Sequence, residues 1–163
     1  MGLDMYLNAR KYISPVDYQA TRENNWEVVV ANPEFADVQK HFPTEALKYG
    51  EGGGSLSINV MYWRKANQIH GWFVDHPQNG VDECQETEVS HDDLRDLLDV
   101  CKRAKANPEE AESILPPTGG FFFGTYELDE YYWEGVNSTI EALETLLKEL
   151  PEGEYEFTYR SSW

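Results

Sequence analysis

The sequence is poor in cysteine and in long apolar runs, and each shortage excludes a class of protein. Its two cysteines, Cys84 and Cys101, are too few for a disulfide framework and form no CxxC pair. No apolar run reaches the length of a membrane-spanning helix, and the first residues lack the pattern of a secretory signal. We therefore expect a cytoplasmic protein with no membrane partner.

Basic residues are also scarce, since 13 Lys and Arg stand against 30 Asp and Glu, for a formal net charge of −17. Proteins that bind nucleic acid directly neutralise phosphates with Lys and Arg, so this composition argues against such binding. An acidic chain attracts basic partners and can imitate the charge of a nucleic-acid backbone. The simplest explanation of the same charge is a solvated acidic surface.

Motifs of the common enzyme classes are absent too, with no Gly-x-Ser-x-Gly, His-Glu-x-x-His or Walker pattern. Residues 75–86 partly follow a calcium loop, but Pro77 stands where a ligand is required. We predict no metal and no cofactor. The sequence leaves enzymatic activity undecided and leans against it.

What the chain has in abundance is aromatic side chains: ten Tyr, seven Phe and five Trp. With 163 residues, 40% of them hydrophobic, it is long enough for a real core, and no linker or repeat divides it. We predict one domain over 1–163. Aromatic residues at the surface would also suit a homo-oligomer.

Alternating patterns predict strands over 3–8, 55–63, 85–89 and 120–128, and in the final residues after 153. Residues 26–30 fit either a strand or the start of a helix. Helices are predicted from Asn32-Pro33, after Ser90 with its capping box, and along the stripe from Tyr132 to Leu150. The glycine-rich segment 48–55 reads as a loop. Because strands and helices mix without a βαβ rhythm, we predict an α+β fold, an antiparallel or mixed sheet with helices packed on one face.

The stretch MYWRKANQIHGWFV, residues 61–74, is the first candidate site, because it places two cations, Asn67 and His70 beside tryptophans. Its spacing turns helical, and a helix start offers free N–H groups that can bind an anion. Arg64 and Lys65 would contact phosphate beside Trp63, while Asn67 and His70 would donate hydrogen bonds. The alternative is that Asn67 and His70 are satisfied core residues.

The second candidate is the aromatic segment 116–135. Thr125, Tyr126 and Asp129 stand at the end of the strand predicted over 120–128, where ligand sites often form. Tyr126 and Asp129 would bind sugar hydroxyls or base edges. The alternative is an aromatic core segment followed by a solvated acidic turn.

Three segments resemble a family of small proteins encoded in bacteriophage and prophage genomes: MGLDMYL, YWRKANQIHGWFV and GFFFGTYELDEYYWE. The resemblance runs from residue 1 to about residue 150 and brings no activity or site residue with it. It implies a viral accessory protein in the cytoplasm of a bacterial host, where small phage proteins often counter host defence.

Three functions remain open on these grounds. The first is a binding protein that holds a small anionic, nucleotide-like ligand through Trp63, Arg64, Lys65, Asn67, His70, Thr125, Tyr126 and Asp129. The second is an acidic interaction protein, or DNA mimic, that inhibits a basic host enzyme. The third is a small hydrolase or transferase that uses His70 as its base.

Overall fold

The computed structural model describes residues 2–47, 52–121 and 123–163. These residues form an α+β fold with four strands in one antiparallel sheet, as the sequence predicts. The strands are β1 (Asp4–Ile13), β2 (Gly54–Arg64), β3 (Thr87–Val89) and β4 (Glu156–Ser162). Their order across the sheet is β2-β1-β4-β3, which places β2 and β3 at the edges.

The helices are α1 (Tyr18–Glu23), α2 (Pro33–Gln39), α3 (Thr44–Leu47), α4 (Asn67–Asp75), α5 (His91–Ala106), α6 (Ala111–Ile114) and α7 (Glu130–Glu149). A single 3-10 turn, Pro108–Glu110, precedes α6. In the part of the chain that the structure describes, no helix is both long enough and apolar enough to span a membrane.

The contacts divide the chain into two compact units. One contains the described residues up to Ala9 together with Ile58–Trp163, and the other is Arg10–Ser57. In the smaller unit, Asp17 caps α1 and Asn32 caps α2, each through its side chain. The buried hydroxyl of Thr21 accepts a hydrogen bond from the Val30 backbone and so anchors the loop after α1.

The core of the larger unit lies between the sheet and its helices. The alternating side chains Met5 and Leu7 of β1 are fully buried. Tyr159 of β4 stacks on Phe73 of α4, with ring centroids 3.9 Å apart. Phe157 packs against His91 of α5, and α5 in turn packs along α7. Within this unit the helices therefore cover one face of the sheet.

Most predicted elements are confirmed, including the capping box in which Ser90 and Asp93 bond reciprocally at the start of α5. Cys101 is a free, buried thiol on the apolar face of that helix. The helix in the stretch 61–74 is covered on both sides, because Asn67 through Phe73 are all buried. It begins only at Asn67, however, so Trp63 belongs to β2.

Two predictions are wrong. Residues 26–30 form neither strand nor helix, and the described residues of 120–128 form a loop. The carbonyl groups of Phe123 and Thr125 accept hydrogen bonds from the side chain of Asn67, so they are not available to a neighbouring strand. Gly124 between them has a φ of +104°, which a regular strand does not contain. Part of the glycine-rich segment, residues 48–51, lies outside the described residues.

Candidate functional site

A cavity of about 690 Å³ opens beside the start of α4 in the larger unit. Its walls come from the end of β2, the first turn of α4, the loop 124–129 and the first turns of α7. The lining residues are Met61, Tyr62, Trp63, Arg64, Lys65, Ala66, Asn67, Gln68, Gly124, Thr125, Glu127, Asp129, Tyr131, Tyr132, Glu134, Gly135 and Ser138. Six of the eight residues that the sequence singles out thus lie around one space.

The turn from β2 into α4 leaves a helix start without a side-chain cap. Lys65 adopts a left-handed conformation, with a φ of 56°, and its N–H bonds the carbonyl of Leu3 at 2.8 Å. Ala66 is the cap residue and has no polar side chain with which to bond the first N–H groups of the helix. A helix start in this condition carries partial positive charge that favours an anion.

Arg64 and Lys65 add two full positive charges to the same wall. Both side chains are exposed, and neither makes a hydrogen bond or an ion pair with another described residue. Most other cations of the described chain are paired, for example Lys102 with Glu144. Two cations without partners in a chain of net charge −17 mark this wall as the place where an anion would be attracted.

The wall formed by the loop 124–129 and α7 carries acidic and aromatic side chains. Glu127 and Glu134 line the cavity from the loop and from α7, and both are exposed. Tyr131 lies beside them and is 77% exposed. Carboxylates accept hydrogen bonds from hydroxyl and amino groups, and exposed tyrosine rings can stack on flat ligands. The lining therefore has a cationic part from the β2–α4 turn, called the cationic end, and an acidic, aromatic part from the loop and α7.

Asn67 holds the loop wall in place. Its Nδ2 atom donates to the carbonyl oxygens of Thr125, at 2.8 Å, and Phe123, at 3.2 Å. Because both N–H donors of the side chain are thus engaged, Asn67 shapes the cavity and has only its amide oxygen left for a ligand.

Gln68 and Gly135 set the approach of α4 to α7. The Gln68 Nε2 atom donates to the carbonyl oxygen of Tyr132 at 2.9 Å. A Cβ on Gly135 would lie 2.9 Å from that nitrogen and 3.3 Å from the Cβ of Ala66. Glycine is required here because the two helices touch. The low helix propensity of glycine gives no indication of this contact.

Asp129 is occupied as the N-terminal cap of α7. One carboxylate oxygen accepts from the Tyr132 N–H at 3.1 Å, and the other accepts from the Thr125 hydroxyl at 3.0 Å. Thr125 and Asp129 therefore border the cavity while bonding each other. Each of these oxygens can accept a further hydrogen bond, so the binding of sugar or base groups by Asp129 stays a prediction.

Trp63 is mainly a core residue. Its side chain is buried, and its indole N–H donates to the hydroxyl of Thr139 at 2.8 Å. The neighbouring Tyr62 points to the other side of β2, where its hydroxyl donates to the carboxylate of Asp4. That hydrogen bond to Asp4 raises the pKa of Tyr62. Tyr62 thus forms a fixed aromatic rim for the cavity.

The structure places His70 and Tyr126 outside the cavity lining. His70 is fully buried, with Nδ1 2.8 Å from the Tyr159 hydroxyl and Nε2 3.1 Å from an Asp82 carboxylate oxygen. Trp163 donates its indole N–H to the other oxygen of Asp82. His70 is therefore a core residue whose two ring nitrogens both have hydrogen-bond partners, as in the alternative interpretation. A base of the predicted hydrolase or transferase would have to reach a substrate, and a fully buried ring does not.

Tyr126 lies elsewhere in the loop, 65% exposed, with its ring over Gly119, where an added Cβ would overlap its hydroxyl. Sequence reasoning in turn overlooked Gln68, Glu127, Tyr131 and Glu134 as lining residues. Glu127 and Tyr131 fall inside the aromatic segment already singled out, so its acids and tyrosines were the available signal. No comparable signal marks Gln68.

The lining residue Tyr132 and the nearby Cys101 are buried ionisable groups. Burial, followed by the nearby Cys101, raises the pKa of Tyr132 to about 12, and its hydroxyl donates to the Leu115 carbonyl oxygen at 2.9 Å. Burial alone raises the pKa of Cys101 to about 12. Among the described residues, no group of three or more His, Cys, Asp or Glu side chains is arranged to hold a metal ion.

Comparisons with models of protein families, with curated proteins and with solved structures found no significant match to this chain. The resemblance to phage and prophage proteins accordingly stays a prediction.

Proposed function

We propose that the protein binds a small anionic, nucleotide-like ligand in the cavity beside α4. The observation that carries the proposal is the cationic end, where Arg64 and Lys65 lack partners among the described residues next to an uncapped helix start. Helix starts and charged side chains together form the usual protein site for a phosphate group. The volume, about 690 Å³, lies in the range of small-molecule sites.

The other end of the cavity suits the rest of such a ligand. Glu127 and Glu134 can accept hydrogen bonds from sugar hydroxyls or from exocyclic amino groups. Tyr62 and Tyr131 can stack on a flat base from the rim. His70 and Tyr126, which the sequence suggested as ligand contacts, are not part of this lining. The proposed binding and the resemblance to phage proteins together lead to a proposed role. In this role the chain is an accessory protein that sequesters a nucleotide signal in a bacterial host.

The first experiment is native mass spectrometry of the protein purified from bacterial cytoplasm, before and after mild denaturation. The expected result is a released small molecule that carries phosphate and absorbs as a nucleobase. Titration calorimetry with adenosine 5′-monophosphate, adenosine and inorganic phosphate then shows how much of the affinity comes from the phosphate group and how much from the nucleoside. We expect the monophosphate to bind more tightly than adenosine, because only the monophosphate occupies the cationic end.

Two variants test whether the ligand binds in the cavity. Arg64→Ala removes one cation of the cavity, and Lys105→Ala removes an exposed cation near the end of α5 that forms no ion pair with another described residue. Both variants change the net charge equally, so a general electrostatic effect would weaken binding in both. We expect Arg64→Ala alone to weaken binding, by roughly tenfold or more for a lost charged hydrogen bond. Equal affinities of the two variants, or a co-purified basic protein with no small molecule, would overturn the proposal.

A further inference from the structure

β2 is an unprotected edge of the sheet. In the order β2-β1-β4-β3, no strand among the described residues lies on its outer side. A strand at an edge presents backbone N–H and C=O groups that can pair with another chain, and proteins normally protect such strands with charge, proline or short length. β2 has none of these protections, since it runs for eleven residues, and 54–63 contain neither proline nor a charged residue.

Four apolar side chains of β2 share one side of the strand. Alternation along a strand places Leu56, Ile58, Val60 and Tyr62 on one side, and these four are named the apolar row. Tyr62 contacts Tyr6 of β1, with ring centroids 5.4 Å apart, on the face of the sheet opposite the helices. Leu56 is 50% exposed and Ile58 is 68% exposed. The packing of a single chain therefore leaves Leu56 and Ile58 largely in water, whereas Val60 packs in part against the core.

We propose that β2 pairs antiparallel with β2 of a second copy of this chain, about a two-fold axis at Ile58. In this register Ile58 lies opposite its own copy, Leu56 lies opposite Val60, and Gly54 lies opposite Tyr62. The two apolar rows then form a continuous strip on one face of an eight-stranded sheet. Cross-strand pairs of aliphatic side chains are the units that stabilise such a pairing.

Charge selects a second copy as the occupant. Two chains of net charge −17 repel each other over most of their surfaces, so an interface between copies is favoured where neither contributes charge. The neutral strand 54–63 meets that condition. A basic partner, in contrast, would be drawn to the acidic surfaces and would gain nothing from a strand without carboxylates.

The test is the mass of the particle in solution, measured by light scattering during gel filtration at physiological salt over a wide range of concentration. Wild type is expected to have the mass of two chains. Ile58→Lys places two like charges opposite each other at the axis and is expected to have the mass of one chain. Val29→Lys is the matched control, because Val29 is 70% exposed, lies outside every strand and gains the same charge. This control is expected to keep the mass of two chains.

A monomeric wild type at every concentration, an assembly larger than two chains, or a dimeric Ile58→Lys variant would each overturn the proposal. Circular dichroism shows whether the variant is folded, and Leu56→Glu provides a second substitution of an exposed row residue should Ile58→Lys unfold. Amide hydrogen exchange gives an independent readout. In wild type, exchange of the amides in 55–60 is expected to slow as the concentration rises, and in Ile58→Lys it is expected not to change.

Discussion

The side-chain amide of Asn67 donates a 2.8 Å hydrogen bond to the backbone carbonyl of Thr125. This bond joins the first residue of α4 to a loop that follows more than fifty residues later in the chain. It also explains why the segment around Gly124 is a loop, since its polar backbone is satisfied by a side chain. The wall of the cavity therefore depends on Asn67, which the sequence predicted to be a ligand contact.

Replacement of Asn67 by Ala should loosen this wall. We expect the free energy of unfolding to fall by roughly 1–3 kcal/mol, because one buried and one partly buried carbonyl group lose their donor. Limited proteolysis should cut within 119–128 faster than in wild type. Asn107→Ala is the matched control, since the Asn107 side chain also donates to a backbone carbonyl, that of Arg103, but at an exposed helix end. Equal cleavage of the two variants would contradict the anchoring role of Asn67.

Replacement of Gly135 by Ala should be destabilising although alanine favours helices. The added methyl group meets Gln68 and Ala66, and the expected loss is roughly 1–3 kcal/mol, as for other overpacked sites. Urea unfolding measures the change. Glu141→Ala, at an exposed position of the same helix, should be nearly neutral. A stabilised Gly135→Ala would mean that the two helices are not in close contact at this point.

Much of the fold is predictable because its elements have local causes. The helix after Ser90 is fixed by its own capping box, and β1 by the alternation of Leu3, Met5 and Leu7. The strand expected over 120–128 is absent because the outcome depends on Asn67, a long-range partner. Alternation of side chains in the sequence carries no information about such a donor.

The cavity is predictable in part for the same reason. Arg64, Lys65 and Asn67 are neighbours in the sequence, so the pattern that suggests an anion site also places them together. The direction in which each side chain points depends on packing as well. His70 is one helical turn beyond Ala66, and only the packing of α4 on β4 decides that its ring turns toward Tyr159 and away from the cavity.

The positions of Arg64 and His70 predict opposite effects of their removal. Arg64→Ala should weaken binding of the monophosphate while leaving the free energy of unfolding almost unchanged, because the side chain is exposed and makes no bond among the described residues. His70→Ala should lower the free energy of unfolding by roughly 2–4 kcal/mol, since it leaves the Tyr159 hydroxyl and one Asp82 oxygen without the His70 ring and opens a cavity. Its affinity for the ligand should stay near that of wild type. Calorimetric titrations and urea unfolding on both variants separate the two effects, and a folded His70→Ala that no longer binds would return His70 to the site.

High pH should destabilise the fold through its buried acids. Burial raises the pKa of Cys101 to about 12, burial with Cys101 raises that of Tyr132 to about 12, and burial, then Asp82 and Cys84, raise that of Tyr159. In the unfolded chain a Cys loses its proton near pH 8.5 and a Tyr near pH 10. Between those values and the folded pKa values the folded state binds more protons than the unfolded state, so stability falls as the pH rises.

The loss is expected to begin above about pH 8.5, through Cys101, and to steepen above about pH 10, where the two tyrosines contribute as well. One such group contributes a slope of about 1.4 kcal/mol per pH unit. Cys101→Ala should therefore flatten the first part of the curve, whatever its effect at neutral pH. Urea unfolding from pH 7 to pH 11 measures the slopes, with Cys84→Ala, which removes the less buried cysteine, as the control. If the two variants lose stability with the same slope between about pH 9 and pH 10, then the first loss of stability does not come from the ionisation of Cys101.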